Sequence, residues 1–240
     1  MKTVASNLVL FIFLCMTLVL ARQNNRETIH FSPISHATFV IETTGTCIYV
    51  DAVGESNLYE KFAEADIILI THTHRDHLSP ETIGSLKTDK TIIVGPQTVI
   101  DELGYGTVLN NGETKQIGSV MIEAIPMYNL TKERQKFHPQ GQGNGYVITL
   151  DDKRIYISGD TEDIPEMREL KDIDYAFICM NLPYTMTVEQ AASAVLEMKP
   201  GVVIPYHYRG TDGFSDIEKF KELVISKDRD IEVKLLHWYD

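Results

Sequence analysis

Basic residues and cysteines are scarce in this chain, and each scarcity excludes a class of protein. The chain has 22 Lys and Arg against 34 Asp and Glu, a formal net charge of −12. It therefore lacks the basic surface with which nucleic-acid-binding proteins neutralise phosphates. No repeat or low-complexity stretch divides the chain. We expect one globular domain with no nucleic-acid partner.

The chain has only 3 cysteines, which is too few for a disulfide framework. Cys15 lies in the apolar leader, while Cys47 and Cys179 fall inside strand-like segments, where a buried thiol is the usual explanation. We expect no disulfide framework, and a single bridge stays open as an alternative.

The first 21 residues differ in composition from the rest. Lys2 is followed by an almost wholly apolar run from Leu8 to Leu20, and Ala21 offers a small residue for cleavage. The pattern predicts a signal peptide, residues 1–21, and a secreted or periplasmic protein without stable membrane association. An uncleaved membrane anchor is the alternative, because the apolar run is near the lower length of a membrane span.

Apolar periodicity divides residues 22–240 into alternating strands and helices, which predicts an α/β domain. An opening hairpin turns near Thr44-Gly45. Thr187 and Gln190 form a capping box at the start of a helix that ends before Pro200-Gly201. Strands are expected at 28–31, 38–43, 46–50, 67–70, 91–94, 120–125, 145–150, 154–158, 175–179, 202–205 and 232–236. Helices are expected at 58–65, 80–86, 97–103, 164–170, between 179 and 202, and at 216–225.

Residues 71–77 read Thr-His-Thr-His-Arg-Asp-His and directly follow the apolar run 67–70. They place three imidazoles and one carboxylate, on His72, His74, His77 and Asp76, within six positions. Neutral imidazole and carboxylate are the usual ligands of zinc and similar divalent ions. A strand that ends abruptly in a short loop can aim such side chains at one or two ions. The segment predicts a metal site, with a solvated histidine-rich loop as the alternative.

Three further candidate ligands follow along the chain. His138 lies in Phe137-His138-Pro139, Asp160 ends an apolar run at 155–160, and His207 ends another at 202–207. Open α/β sheets place their sites at the carboxyl ends of strands, where Asp160 and His207 stand. The alternatives are that these two residues merely cap strand ends and that His138 is a surface loop histidine, with His36, His30 and His237 as its rivals.

These residues resemble the H-x-H-x-D-H signature and the later ligands of the metallo-β-lactamase superfamily over nearly all of the chain after the leader. The resemblance implies a four-layer αββα sandwich, with residues 22–240 as the hydrolase domain. It also implies two divalent metal ions, zinc being expected and manganese or iron the alternatives. By this resemblance His72, His74 and His138 would hold the first metal, Asp76, His77 and His207 the second, and Asp160 would bridge both.

Four other residues are candidates for a supporting or substrate-binding role. Asp51 resembles the family's early aspartate, which supports a ligand histidine. The segment 35–38 resembles the Gly-His-Ala-Ser/Thr segment of the branch with L-ascorbate-6-phosphate lactonase-like proteins, and Ser35 replaces the glycine. His36 either contacts substrate or is a satisfied strand histidine. Tyr128 and Tyr206 are candidate donors to a developing oxyanion, with core packing as the alternative.

Residues 127–144 form the least regular stretch. Its Gly-rich end, 140–145, lacks the Gly-Lys-Ser/Thr ending of a phosphate-binding P-loop, so we expect a flexible loop that lets His138 reach the metals. Lys132 and Arg134 would either attract an anionic substrate or form a solvated face.

Two metal ions would activate a bridging water as hydroxide and polarise the bond under attack, so the expected reaction is hydrolysis. Asp76 would hold the second metal and orient the nucleophile. Thr73 stands where the oxygen-reducing diiron branch has Glu, which argues against a redox role. We expect an exported ester or lactone hydrolase with a small-molecule substrate. The alternatives are a phosphodiesterase of the same fold and a non-catalytic metal-binding module.

Overall fold

The computed structural model describes residues 29–239, which form two large β-sheets with helices on their outer faces. The expected signal peptide, residues 1–21, lies outside the described residues. Among residues 29–239, no helix has both the length and the apolar character needed to cross a membrane.

The first sheet contains six strands in the order β1-β2-β3-β4-β5-β6. β1 to β3 are antiparallel neighbours, and β3 to β6 run parallel to one another. Its strands are β1 His30–Ser35, β2 Thr38–Glu42, β3 Cys47–Val50, β4 Ile67–Leu69, β5 Ile92–Gly95 and β6 Thr107–Val108. The hairpin expected around Thr44-Gly45 is confirmed.

The second sheet contains seven strands in the order β15-β12-β11-β10-β9-β8-β7. β7 to β10 are antiparallel, whereas β10, β11, β12 and β15 run parallel. Its strands are β7 Thr114–Ile117, β8 Val120–Met127, β9 Gly143–Leu150, β10 Lys153–Ile157, β11 Tyr175–Cys179, β12 Val202–Tyr206 and β15 Glu232–Val233. A separate small hairpin joins β13 Arg209–Gly210 to β14 Gly213–Phe214.

Helices cover the outer face of each sheet, which confirms the four-layer αββα sandwich. The helices are α1 Pro80–Leu86, α2 Gln97–Leu103, α3 Pro165–Arg168, α4 Val188–Met198 and α5 Ile217–Ile225. Alternation along β2 shows the layering: Phe39 and Ile41 belong to the main core, while Val40 packs in a second cluster with Ile83 of α1 and Val99 of α2. The capping box at the start of α4 is confirmed.

The helix expected at 58–65 is wrong, because only a single 3-10 turn forms, at Ser56–Tyr59. The Tyr49 hydroxyl donates to the Ala63 carbonyl at 2.7 Å, and the Cys47 amide donates to the Asp66 carboxylate at 2.9 Å. Contacts with β3 thus hold this segment in a non-helical path. The last strand is also shorter than expected, and β6, β7 and the β13–β14 hairpin were not predicted.

Within the Gly-rich end, residues 143–145 belong to β9, whereas residues 140–142 form a turn before it. A Cβ at Gly145 would lie 2.9 Å from the carbonyl oxygens of both Ile157 and Ser158. A Cβ at Gly143 would lie 2.4 Å from the Met127 methyl and 3.2 Å from the His72 Cβ. These glycines therefore allow close packing beside the histidine motif and beside the end of β10.

Candidate metal centre

The candidate site lies where parallel strands of both sheets end. His72 to His77 follow β4, Asp160 follows β10, and His207 follows β12. Carboxyl ends of parallel strands meet at one edge of a sheet, and the face-to-face packing brings the two edges together. The histidine motif and the later candidates thus converge although they are far apart in the chain.

Three imidazole nitrogens form a first group. His72 Nε2 lies 3.0 Å from His74 Nδ1, and His138 Nε2 lies 3.3 Å from the same His74 nitrogen. Nitrogens that bind one tetrahedral zinc at 2.0–2.1 Å lie about 3.3 Å apart. The spacing of this group therefore suits three ligands of one divalent ion.

A second group of ligand-type atoms lies beside the first. His77 Nε2 and His207 Nε2 are 3.2 Å apart, and Asp76 Oδ2 lies 3.4 Å from His207 Nε2. Asp160 stands between the groups: its Oδ1 is 3.5 Å from His77, while its Oδ2 is 3.4 Å from His207 and 3.5 Å from His138. The carboxylate is placed where it can face an ion in either group.

The chemistry of these atoms fits divalent metal ions. His72, His74 and His138, and likewise Asp76, His77 and His207, each form a set whose ligand-type atoms all lie within 4.8 Å of one another. Asp160 Oδ1 is buried and has no hydrogen-bond partner within residues 29–239. A buried carboxylate oxygen without a donor needs a cation, and the surrounding imidazole nitrogens are what zinc, manganese or iron would share with it.

Contacts on the far side of two of the rings, His77 and His138, fix how these imidazoles face the site. His77 Nδ1 lies 2.7 Å from Asp51 Oδ2, and Asp51 also accepts from the Thr71 amide at 2.7 Å and the Thr71 hydroxyl at 2.8 Å. His138 Nδ1 lies 3.2 Å from the Tyr184 carbonyl oxygen. Such partners fix the ring orientation and leave Nε2 facing the site.

The protonation preferences divide the histidines in the same way. Burial holds the pKa of His72 and His74 below the usual value and lowers the pKa of His138 to about 4, so these rings are neutral. Burial also opposes protonation of His77 and His207, but neighbouring carboxylates, above all Asp160, outweigh it and raise both pKa values. The second group therefore attracts positive charge, which a divalent ion would supply.

Three residues that border the site adopt left-handed backbone conformations. The φ angles are +52° at His36, +46° at Asp51 and +44° at His207. Each such residue costs on the order of 1 kcal/mol, and such residues persist where the surrounding structure fixes them. Their clustering at the strand ends indicates that the backbone takes this conformation there in order to direct these three side chains toward the site.

A cavity of about 350 Å³ opens over both groups. His74, Asp76, His138, Asp160 and His207 line it, so water and substrate can reach the ligand-type atoms. The other lining residues are His36, Phe137, Asn181, Tyr184, Arg209, Gly210 and Thr211. His36 thus lies where it can contact substrate, and burial, then His207 and Arg209, lower its pKa to about 4.

The tyrosines considered as oxyanion donors do not line this cavity. The Tyr128 hydroxyl donates to Glu166 at 3.1 Å, outside the cavity lining. Tyr206 is fully buried and packs against Phe39 and Trp238 in the core. Strand alternation explains Tyr206, because the residue that precedes an inward-facing ligand points to the opposite side.

Neither basic side chain of the 132–134 run provides an anion site in the cavity. Arg134 forms an ion pair with the buried Glu162 at 2.6 Å, and Lys132 does not line the cavity. Glu162 also accepts from the Leu130 and Thr131 amides, each at 2.6 Å. Arg134 therefore helps to hold the segment that carries His138.

Among the cavity residues that were not singled out from the sequence, Asn181 and Arg209 offer hydrogen-bond donors beside the candidate ligands or His36. Asn181 follows β11 and places its Nδ2 3.2 Å from His207 Nε2 and 3.4 Å from Asp160 Oδ2. The strand-end rule that selected Asp160 and His207 applies to Asn181 as well. Arg209 follows His207 by two positions, and its place in the cavity depends on the β13–β14 hairpin, which has no clear sequence pattern.

Comparison with known proteins gives consistent results. The sequence model of one protein family, the β-lactamase superfamily domain, matches residues 31–207, from β1 to the last candidate ligand. A metal-dependent hydrolase from Pyrococcus abyssi is 30% identical over 217 residues, which cover 84% of this chain and 94% of that protein. A candidate metal-dependent hydrolase from Parabacteroides distasonis, of known crystal structure, is 43% identical with a TM-score of 0.80, covering 87% of this chain and 93% of that one.

A metallo hydrolase from Ignicoccus hospitalis has a similar structure, with a TM-score of 0.74 at 23% identity over 88% of this chain and 96% of that one. At this level of identity the likeness supports the fold alone. The matches therefore agree with the αββα architecture and reach across nearly all of the described residues.

Proposed function

The chain belongs to the metallo-β-lactamase superfamily as a metal-dependent hydrolase, and from this premise we propose that it is an exported enzyme that uses two divalent metal ions to hydrolyse an ester or lactone. The substrate class, the number of ions and the export are our proposals.

One observation carries the two-metal proposal. The ligand-type atoms form two sets, and a third group, of His72, His77 and Asp160, joins them, with the two Asp160 oxygens facing different imidazoles. A single ion would leave one of the two sets without a cation. If that ion lay in the first set, the buried pair His77 and His207 of the second set would have none. When bound, two such ions supply a nucleophile from water at neutral pH and polarise the oxygen of the bond under attack.

The residues of the chain would divide the remaining work. Asp76 has a side chain 47% exposed to the cavity, so it can accept a proton from an incoming water while it faces His207. Asn181 Nδ2 is buried beside Asp160 and can donate to an oxygen that gains charge during the reaction. His72, His74 and His138 are neutral, and their lone pairs are free to bind metal.

The decisive experiment is a hydrolysis screen of the purified mature protein with its metal content measured on the same sample. Lactones, simple esters, phosphodiesters, thioesters and β-lactams would be tested after loading with zinc, manganese or iron. We expect the highest kcat/KM on an ester or lactone, with activity lost on chelation and restored by metal. Preference for a phosphodiester would establish the alternative, and metal binding without turnover on any class would identify a binding module.

We further propose export with cleavage after Ala21, on the basis of the apolar leader. Expression of the full chain followed by fractionation and N-terminal sequencing would test this proposal. We expect Arg22 as the first residue of a secreted or periplasmic protein. A membrane fraction with the leader intact would instead identify an anchor.

A further inference from the structure

Arg209 is a cationic residue of the cavity for which the metal centre gives no role. Among the described residues that line the cavity, it is the one lysine or arginine. The two basic residues considered from the sequence do not substitute for it, since Arg134 is paired with Glu162 and Lys132 lies outside the cavity lining. No carboxylate among residues 29–239 pairs with the Arg209 guanidinium.

The guanidinium is held in place without being neutralised. Its Nη2 donates to His36 Nε2, and its Cζ lies 5.4 Å from the centre of the Tyr239 ring. Neither neighbour carries negative charge at neutral pH. Because an arginine fork has five N–H donors, most of them stay available to a ligand in the cavity.

The hairpin that carries Arg209 is fixed against the opposite wall of the cavity. The Thr211 amide donates to the Leu182 carbonyl at 3.1 Å, and the Thr211 and Tyr184 hydroxyls are 2.9 Å apart. A Cβ at Gly210 would lie 1.8 Å from the Leu182 oxygen, so only glycine permits this contact. The residue after Arg209 is thus the one that allows the hairpin to close down on its neighbour.

Arg209 is also close to the metal ligands. The His36 ring lies between them: its centre is 5.6 Å from that of His207, and its Nε2 contacts Arg209. A small molecule with one end at the metal centre can therefore place its other end at the guanidinium. The whole chain carries a net charge of −12, and an unpaired cation at this point gives the cavity a local attraction for anions.

We propose that Arg209 binds a carboxylate or phosphate group of the substrate, so that the enzyme selects small anionic substrates over neutral ones. The part of this inference that places hydrolysis at the neighbouring metals rests on the proposed function. The anion site itself rests on Arg209 and its contacts. Guanidinium binds both carboxylate and phosphate through paired N–H donors, which gives it a preference for planar or tetrahedral oxyanions.

The test compares ligands with one and with two anionic groups on zinc-loaded protein. Isothermal titration would measure succinate, glutarate and adipate against butyrate, valerate and hexanoate, each pair having the same number of carbons. The first carboxylate can bind at the metals in both members of a pair, so the ratio of their affinities isolates the second. 3-Phosphonopropionate against succinate then distinguishes a phosphate site from a carboxylate site.

We expect at least one diacid to bind about tenfold more tightly than its monoacid partner. Arg209→Gln should bring that ratio close to one, and Arg209→Lys, which keeps the charge but loses the fork, should give an intermediate ratio. Arg229→Gln is the matched control, because it removes one exposed positive charge that does not line the cavity, and it should keep the wild-type ratio. Metal content would be measured for every variant.

A wild-type ratio near one, a ratio that survives Arg209→Gln, or a ratio that Arg229→Gln also removes would overturn the anion site. Because the readout is binding, it is independent of the hydrolysis screen. If diacids bind more tightly than monoacids through Arg209 but no substrate is hydrolysed, the proposed function is refuted and the anion site is kept. If substrates are hydrolysed but diacids are not preferred, the proposed function is kept and the anion site is refuted.

Discussion

The histidines of this site differ in what their second ring nitrogen contacts, and that contact decides how the first nitrogen can act. His77 Nδ1 faces the Asp51 carboxylate, whereas His138 Nδ1 faces a backbone carbonyl. A carboxylate partner makes the opposite nitrogen more basic, while a carbonyl partner mainly fixes the ring. Histidine, as one type of side chain, can therefore serve at two different ligand positions of the candidate centre.

Asp76→Asn should reduce turnover far more than stability. The amide keeps the shape of the side chain but loses the charge that holds metal and accepts the proton, so kcat should fall about 10²-fold or more. Because the Asp76 side chain is 47% exposed, the free energy of unfolding of the metal-free protein should change by less than about 1 kcal/mol. Steady-state kinetics and urea titration measure the two effects.

Asp89→Asn, at an exposed position outside the cavity lining, serves as the control for Asp76→Asn. It should match the wild type in both measurements. Near-normal hydrolysis by Asp76→Asn with full metal content would remove Asp76 from the proposed role.

His138→Ala should weaken the first metal selectively. Its Nε2 belongs to the His72 and His74 group, and the two remaining imidazoles would form an incomplete set. Elemental analysis after reconstitution with zinc should show the loss of one metal equivalent. His30→Ala and His237→Ala, both exposed and outside the cavity lining, should keep full metal. Full metal content in His138→Ala would contradict the ligand assignment.

At the scale of elements, the site depends on backbone segments that approach each other closely. The segment before β9 is held by Glu162, while β9 itself lies against the end of β10 at Gly145. Residues 130–131 are thus fixed by hydrogen bonds to the buried Glu162, and the following strand fixes the other end of the segment that carries His138.

Gly145→Ala should destabilise the fold by about 1–3 kcal/mol, because the added methyl would press on two backbone carbonyls that cannot move aside like a side chain. Gly84→Ala is the matched control. Gly84 lies inside α1, and a methyl added there would have no atom within 4 Å, so alanine should raise stability by about 0.5–1 kcal/mol. Chemical denaturation measures both changes, and equal effects of the two substitutions would disprove the close-packing argument.

At the scale of the whole molecule, the two sheets together bury a carboxylate that needs a compensating charge. Asp160 from the second sheet and the imidazoles from both sheets meet in the interior, where an isolated carboxylate oxygen is costly. Metal ions would offset that cost and link the two halves of the sandwich. Stability and metal content should therefore rise together.

We expect close to two zinc ions per chain and a melting temperature that rises with metal. At one hundred times the dissociation constant, each bound ion would add about 2.7 kcal/mol, and the sum corresponds to a rise of roughly 10–20 °C for a domain of this size. Asp160→Ala should lower occupancy of both sites together, since it faces both. Elemental analysis with calorimetry tests this expectation, and a maximum of one ion per wild-type chain would exclude the two-metal centre.

Much of the fold and the candidate ligands could be predicted because the information is local. Apolar runs identify β4, β10 and β12, and a polar residue at the end of each run identifies where a ligand can stand. The segment 71–77 carries the spacing of its histidines and aspartate within one short stretch, so the metal site could be predicted from that stretch alone. Where local preference conflicted with tertiary contacts, as at 58–65, the prediction of a helix was wrong because the Cys47 and Tyr49 side chains of β3 both donate to the Ala63 carbonyl.

By itself, the sequence determined the α/β class, the strand ends and the types of residue that gather there, since periodicity and composition act over a few residues. Only the tertiary structure decided which nitrogens face each other, that Tyr206 turns into the core, and that Arg209 meets His36 from 173 positions away. Such contacts depend on how two sheets pack and on where a short hairpin is held, and neighbouring residues in the chain do not encode either one.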